Sequence, residues 1–228
     1  MKRSPGRLRW GRWLRWAWVP AVVVAGVLVV AAFEAVQPWE QGTVRGRWRL
    51  VFNGYGEAGH QGHGPGATVT LAPTAPERGD ETHAALAVTQ ERYGDLVATV
   101  RVRTDRRLRA GRPNPWEVAW VLWHYRDPEH FYAVALKPTG WEVTKQHPSF
   151  PGNQQFLATG DHPRFPVGRW HTVRISQIGQ EITVSADGAL LTRITDTDPD
   201  AYRDGALGLY CEDAAVSFTG FQISDLSG

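Results

Sequence analysis

Residues 116–145 carry the densest group of side chains able to bind a ligand. Four of the chain's 11 tryptophans lie there, beside Glu117, Lys137, Glu142 and Lys145. Aromatic rings offer flat apolar faces, and a few charged groups placed among them fix the orientation of a polar ligand. The combination predicts a shallow groove for a sugar, with aromatic walls and small alanines along its floor.

The turn residues of this segment divide it into three antiparallel strands, with turns near 126–130 and 138–140. Because side chains alternate between faces, pairing Tyr125 with Phe131 defines two surfaces. The predicted ligand face carries Glu117, Ala119, Val121, Trp123, Tyr125, Phe131, Ala133, Ala135, Lys137, Trp141 and Lys145. The bulkier face, predicted to join the core, carries Trp116, Val118, Trp120, Leu122, His124, Tyr132, Val134, Leu136, Glu142 and Thr144.

Two alternatives to this assignment stay open. Two-sided apolar strands are ordinary inside a sandwich, so the first face can equally be packing beneath a long loop. A register error of one residue would swap the faces and bring Trp120, His124, Tyr132 and Glu142 to the ligand. His124, at the strand end, is expected to be a hydrogen-bonded histidine, with a catalytic base as the alternative, and it is also a candidate ligand-binding residue.

Glycoside hydrolysis normally needs two carboxylates, about 5 Å apart for retention and further apart for inversion. Glu117 is the candidate catalytic acid or base, but Glu142 falls on the opposite face in this register. His60 and His63 have a spacing that can ligate a metal. They lie in the glycine-rich segment 54–66, however, and a flexible surface loop is the simpler interpretation of that segment. Asp196, Asp198 and Asp200 alternate as calcium ligands do, without EF-hand spacing. No metal or cofactor is predicted.

The N-terminus predicts a location. Six basic residues among the first 15 precede an apolar run, Trp16–Phe33, and no acidic residue precedes Glu34. We expect a cytoplasmic arm (1–15), a transmembrane signal-anchor in the bilayer (16–36) and one extracytoplasmic domain (37–228). The alternative is a cleaved signal peptide, with Ala31 and Ala32 at the cleavage site and a secreted product.

The charge distribution excludes one class of partner. After Glu34 the chain keeps 19 basic and 22 acidic residues, a formal charge of −3, so the net charge of +2 comes from the N-terminal arm. A nucleic-acid-binding domain would need a basic balance of its own, so no nucleic acid is expected. Cys211 is the only cysteine, and its setting predicts a small buried side chain.

Beyond residue 37 the pattern is of short β-rich segments separated by glycine, proline, aspartate and asparagine. This pattern predicts an all-β antiparallel sandwich in one domain. Asp187-Gly188 predicts a two-residue hairpin turn, because both positions tolerate positive φ. The long connection 146–168 exceeds the usual loop length and is expected to border a functional site.

The C-terminal half also carries a resemblance. The runs FPVGRWHTVRISQIGQEITVSADGALLTRITD and DGALGLYCEDAAVSFTGFQI resemble the closing strands of concanavalin A-like lectin/glucanase domains. Among these domains, the chain is most similar to the laminin G-like group and to the 3-keto-disaccharide hydrolase domain. The segment WHYRDPEHFYAVAL resembles the strand–turn–strand hairpin of that hydrolase domain. The resemblance implies a jelly-roll sandwich, in a superfamily of lectins, enzymes and adhesion modules.

Two departures from better-known members bear on activity. The Glu-x-Asp-x-x-Glu catalytic strand of family-sixteen glycoside hydrolases does not occur. Phe218-Thr219-Gly220-Phe221 stands where many relatives have an acidic strand, which puts an inherited structural calcium in doubt. Three functions follow as hypotheses: an anchored glycan-binding module, a glycosidase of the keto-disaccharide type, and a protein-interaction module of the envelope.

Overall fold

The computed structural model describes residues 38–226. Within them the chain forms an antiparallel β-sandwich, as the sequence predicts. Its strands are β1 (Val44–Arg45), β2 (Trp48–Phe52), β3 (Glu57–Gln61), β4 (Thr68–Ala72), β5 (Ala84–Thr89), β6 (Leu96–Arg107), β7 (Ala119–Asp127), β8 (His130–Lys137), β9 (Gly140–Gln146), β10 (Gln154–Gly160), β11 (His171–Ile178), β12 (Glu181–Ala186), β13 (Ala189–Thr195), β14 (Ala206–Glu212) and β15 (Ala214–Asp225). Short 3₁₀ turns at Gly64–Gly66 and Pro151–Asn153 are the helical elements of this part of the chain.

The strands form two sheets. The eight-stranded sheet has the order β1-β2-β5-β14-β7-β8-β9-β10, and the seven-stranded sheet has the order β13-β12-β11-β6-β15-β4-β3. Sequence neighbours β7, β8, β9 and β10 are also neighbours in space. The segment richest in aromatic and charged residues therefore forms one continuous half of the eight-stranded sheet.

The main core fills the space between the sheets. Its largest fully buried side chains include Trp48, Trp123, Tyr132 and Phe218. Cys211 is also buried there, as predicted. A second apolar cluster lies on the outer face of the eight-stranded sheet, and it consists of Leu86, Val88, Val118, Trp120, Leu122, Tyr125, Ala133, Ala135 and Ala206.

The predicted register of β7, β8 and β9 is wrong by one residue. Trp123 pairs with Tyr132 and Asp127 pairs with His130, so a β-bulge holds the three residues 124–126 opposite Phe131. His124, at φ 48°, begins this bulge. The β8–β9 turn is also shorter than predicted, because Lys137 pairs with Gly140. Together these differences reverse the predicted faces of β7 and β9, so that Trp123 and Trp141 point into the core and Glu142 points outward.

The predicted turn between β12 and β13 is present, whereas the predicted loop 54–66 is partly a strand. Asp187 (φ 49°) and Gly188 (φ 82°) join β12 to β13 in the predicted hairpin. The segment 54–66 is not a flexible loop throughout, because it contains β3, whose His60 ring lies edge-on to Trp39. The connection 146–168 contains β10.

The predicted arm 1–15 and anchor 16–36 lie outside the described residues. Among residues 38–226, no helix is long and apolar enough to cross a membrane.

Candidate functional site

An open groove of about 790 Å³ lies on the outer face of the eight-stranded sheet. Strands β7 to β10 and β14 contribute to it, together with the segment that precedes β7. The residues that line it are Pro115, Trp116, Trp120, Lys137, Glu142, Gln146, Gly152, Gln154, Phe156, Thr159 and Glu212. The groove therefore combines three aromatic rings with charged, amide and hydroxyl groups.

Two exposed aromatic rings belong to different parts of the groove lining. Trp116, just before β7, is 41% exposed, and Phe156, on the edge strand β10, is 58% exposed. Trp120 lies lower and is almost covered; its Nε1 donates a hydrogen bond to the Trp116 carbonyl at 3.0 Å. This bond ties the buried ring to the backbone that presents the exposed one.

A charged pair lies on the groove floor. Glu142 on β9 is opposite Ala135 on β8, and Lys137 lies one pleat further along β8. Alternate residues share a face, so Lys137 Nζ reaches Glu142 Oε2 and donates a hydrogen bond to it. Ala133 and Ala135 are on this outer face, as predicted.

A second carboxylate enters the groove from β14. The Tyr210 hydroxyl donates a hydrogen bond to Glu212 Oε1 at 2.6 Å, and the Tyr210 ring meets Trp120 edge-on at 6.0 Å. Burial raises the pKa of Glu212 above its ordinary value; the Tyr210 hydrogen bond opposes this, while the negative charges of Asp213 and Glu142 add to it. The surroundings of Glu212 thus favour the protonated form of its carboxyl.

The two carboxylates approach the groove from strands that are not neighbours. Strands β7 and β8 lie between β14 and β9, a backbone separation of about 14 Å at the usual strand spacing. One cross-strand row of the outer face runs from Glu142 through Ala135 and Trp120 to Tyr210, and Glu212 lies two residues beyond Tyr210. Trp120 is therefore the groove-lining residue that lies between the two carboxylates.

The far wall comes from the β9–β10 hairpin. Gln146 pairs with Gln154, and both line the groove with Gly152 of the intervening turn. Gly152 has φ 67°, a conformation that glycine adopts without strain. The predicted association of the long 146–168 connection with a functional site fits this arrangement.

The sequence matches the model of a family described as the 3-keto-alpha-glucoside-1,2-lyase-like domain over residues 26–224. The chain belongs to this family. The keto-glucoside lyase-like domain thus takes in all strands of the sandwich as far as Ile223. No curated protein matches the chain in sequence.

Solved structures agree on the fold. A carbohydrate binding module of Bacillus subtilis, CBM66, is 12% identical with a TM-score of 0.55, and the match covers 82% of this chain and 100% of that one. A protein of unknown function with a galectin-like fold, also from Bacillus subtilis, is 12% identical with a TM-score of 0.50 over 78% of this chain and 89% of that chain. A Bacteroides ovatus GH16 protein in complex with a G4G4G3G product is 6% identical with a TM-score of 0.50, covering 83% and 97%. These similarities show that the domain has the same type of β-sandwich fold.

Of the predicted ligand-binding residues in the keto-glucoside lyase-like domain, Lys137 lines the groove. Trp123, Trp141 and Lys145 point to the other face of the same sheet. Trp123 Nε1 donates to Gln177 Oε1 at 2.7 Å, and Trp141 Nε1 donates to the His162 carbonyl at 2.9 Å. The structure therefore separates three residues that the sequence analysis grouped with Lys137.

Lys145 is fully buried in a polar cluster between the sheets. Its Nζ lies 3.3 Å from Asp196 Oδ2 and 3.3 Å from Asp198 Oδ2, and the Tyr132 hydroxyl donates to Asp196 Oδ2 at 2.5 Å. The ammonium group thus provides the positive charge for two of the three aspartates considered as calcium ligands. Residues 38–226 contain no group of three or more His, Cys, Asp or Glu side chains that could hold a metal ion.

Glu117 lies outside the groove, just before β7, with a fully buried side chain. Its Oε1 accepts hydrogen bonds from Arg109 Nε and from the Asn114 amide, both at 3.0 Å. Arg109 Nη2 also donates to Asp213 Oδ2 at 2.5 Å. The placement makes Glu117 part of a buried ion cluster and gives no support to the predicted role as acid or base.

Tyr125 and His124 belong to the bulge of β7. Tyr125 stacks on Phe131 at 6.0 Å, and burial raises the pKa of its hydroxyl to about 12. Both ring nitrogens of His124 are within hydrogen-bonding distance of carbonyl oxygens, those of Tyr202 and Gly94. Burial lowers the pKa of His124 despite these bonds. Of the two sequence interpretations, the structure favours the hydrogen-bonded histidine.

The sequence analysis missed Trp116, Trp120, Phe156, Glu142 and Glu212 as groove residues. The alternative register would have found Trp120 and Glu142. The sequence signal for Glu212 was weaker. It consisted of the spacing of Tyr210 and Glu212, which are two residues apart on one strand and therefore share a face. Nothing in the local pattern joined them to residues 90 positions earlier in the chain.

Proposed function

We propose that the groove binds a glycan. The observation that carries this proposal is the lining, in which exposed Trp116 and Phe156 accompany an ion pair, amides and a hydroxyl. Aromatic faces pack on the C–H surfaces of a sugar, and Lys137, Glu142 and Gln154 offer donors and acceptors for its hydroxyls. The family match and the structural similarity to a carbohydrate binding module and to a GH16 product complex support a carbohydrate ligand.

The proposal includes a place for the domain. The basic arm and apolar run of residues 1–36 would tether it to a membrane, with the domain on the extracytoplasmic side. There the groove would meet envelope or extracellular glycans. Protease treatment of intact cells tests this location, because only an extracytoplasmic domain is cleaved without lysis.

Binding is tested by titrating a glycan panel while recording tryptophan fluorescence. Trp116→Ala should weaken binding about tenfold or more, the loss expected for an exposed aromatic anchor. Leu190→Ala is the matched control, because Leu190 is 62% exposed on β13 of the other sheet. Equal glycan affinities of the two variants would reject the groove as the glycan-binding site. A protein partner crosslinked to the groove would favour the interaction-module hypothesis.

A second candidate function is cleavage of a glycosidic bond, favoured by the two carboxylates in the groove. In a 1,2-elimination on a 3-keto-glucoside, a base removes the acidic C2 proton and the C1=C2 bond forms. The C1–O bond breaks, and the leaving oxygen takes a proton. We assign proton donation to Glu212, whose pKa is raised, and proton removal to Glu142, whose carboxylate accepts a hydrogen bond from Lys137.

This assignment is tested by product release from a 3-keto-alpha-glucoside. Glu142→Gln and Glu212→Gln should each lower kcat by about 100-fold or more while the sugar still binds. Glu129→Gln, an exposed glutamate in the β7–β8 turn, is the control. Activity that survives both groove variants and falls with Glu117→Gln in folded protein would return the role to Glu117.

A further inference from the structure

The outer face of the seven-stranded sheet has a different chemistry from the groove. Its central strands β6 and β11 present Arg101, Arg103 and Arg174 between threonine and serine side chains. Thr172 pairs with Arg101, and Arg174 lies diagonally across from it, at about 7–8 Å between backbones. Three guanidinium groups therefore lie within one small area of a domain whose overall charge is acidic.

Two of these arginines are held by an aromatic ring. Trp170, just before β11, lies 5.3 Å from the Arg101 guanidinium and 4.6 Å from that of Arg103. A guanidinium that stacks on an indole keeps its N–H edges free for a bidentate anion. The carbon chain of Arg101 also runs past Gly220, where an added Cβ would meet it at 3.1 Å. Arg101 is thus a supported side chain with its polar edge free.

The positive charge of this face is only partly balanced. Arg103 is paired with Asp105, which also accepts a 2.6 Å hydrogen bond from Ser217. Arg101 and Arg174 are exposed, and among residues 38–226 neither has an acidic partner. The face therefore has two guanidinium groups available to an external anion, at a spacing of adjacent sheet positions.

We propose that this face, defined by Arg101, Arg103, Trp170 and Arg174, binds a polyanionic polysaccharide carrying carboxylate groups. Charge complementarity and the surrounding hydroxyls favour a polymer with regularly spaced anions and hydrogen-bonding groups. A bilayer is disfavoured because interfacial binding needs protruding apolar side chains. Among residues 38–226, the exposed large hydrophobic residues on the strands of this sheet are Ile178, at the end of β11, and Leu190, on the edge strand β13, so none lies beside the arginines of β6.

The experiment maps arginines by phenylglyoxal modification and peptide mass spectrometry, on the full chain in a nonionic detergent. Polygalacturonate should protect Arg101 and Arg174 from modification, and 1 M salt should remove the protection. Arg78, an exposed arginine in a loop, should react equally with and without polymer. The basic N-terminal arm is the same in every sample, so protection is compared residue by residue.

Variants complete the test. Arg101→Gln with Arg174→Gln should lower affinity for polygalacturonate about tenfold, and Arg78→Gln, which also removes positive charge, should not. Groove binding of neutral glycans should be unchanged, which separates failure here from failure of the proposed function. Protection confined to the N-terminal arm, equal protection of Arg78, or protection by phosphatidylglycerol vesicles but not by polygalacturonate would each overturn the proposal.

Discussion

The two faces of the sheet formed by β7, β8 and β9 carry similar residue types but have different roles. On the inner face, Trp123, Tyr132 and Lys145 are almost fully buried, and their polar atoms meet Gln177 and Asp196 from the other side of the sandwich. On the outer face, Trp120 and Lys137 lie beside a groove. One segment thus supplies both a packed interior and a surface open to a ligand.

The difference shows that residue type alone does not identify a binding face. A buried tryptophan or lysine persists in a core when a second element supplies its hydrogen-bond or charge partner. Here the partners come from β11 and from the segment after β13, both distant in sequence. The outer face lacks an opposing sheet, so its Lys137–Glu142 pair is formed within the sheet itself.

The largest effect is expected at the inner lysine. Lys145→Met leaves Asp196 and Asp198 without their cation in a buried setting, so the free energy of unfolding should fall by about 3–5 kcal/mol. Denaturant titration followed by circular dichroism measures it. Lys137→Met is the matched change on the outer face, where one carboxylate loses its donor beside an open groove, and it should cost less, about 1–3 kcal/mol, while weakening glycan binding. Similar losses from both variants would break the comparison between the two faces.

A smaller difference is expected between two tyrosines. Tyr132→Phe removes the hydroxyl that donates to Asp196 and accepts from the Tyr202 amide at 3.1 Å, and should cost about 1–3 kcal/mol. Tyr210→Phe removes one bond to Glu212 at the groove and should cost about 1 kcal/mol. Thermal melts of the two variants give the order, and a larger loss at Tyr210 would contradict it.

The sequence predicts those features of the fold that depend on interactions between residues close together in the chain. The Asp187-Gly188 turn and the alternating strands depend on neighbours in sequence, so the sandwich and this hairpin were predictable. The bulge at His124 depends on carbonyls of Gly94 and Tyr202, which lie on other elements. That bulge shifts the register, and with it the face on which Trp120 and Trp123 lie.

The groove was predictable in part for the same reason. Lys137 and the alanines of β8 lie on the predicted face of the sheet. Strand β8 is regular, so its side chains alternate as predicted although its pairing with β7 and β9 is shifted by one residue. Glu212 and Phe156 reach the groove through the order of strands in the sheet, which no local pattern records. Glu117 seemed a groove residue because the buried cluster that it joins is not visible in the local pattern: it pairs with Arg109, which also pairs with Asp213, 96 positions after Glu117.

The thermal stability of the folded chain should depend on pH through Glu212 in the groove. The raised pKa of Glu212 means that its protonated form is favoured in the folded chain. Its stabilising contribution is present below the unfolded pKa of 4.5 and is lost as pH rises through the higher folded pKa. Glu212→Gln cannot ionise, so its Tm relative to the parent should rise between pH 4 and pH 8. A Tm difference that is flat across this range would contradict the assignment.

The smallest effect on stability is expected at the groove's exposed edge. Phe156 is 58% exposed on β10, so Phe156→Ala should change the free energy of unfolding by less than about 0.5 kcal/mol. Its effect on glycan affinity should be larger, because the ring is available to a ligand and not to the core. Calorimetric titration of folded Phe156→Ala with a glycan bound by the parent measures it. If affinity stays unchanged while Trp116→Ala weakens binding, the ligand contacts the groove from the β7 side and leaves the β10 edge free.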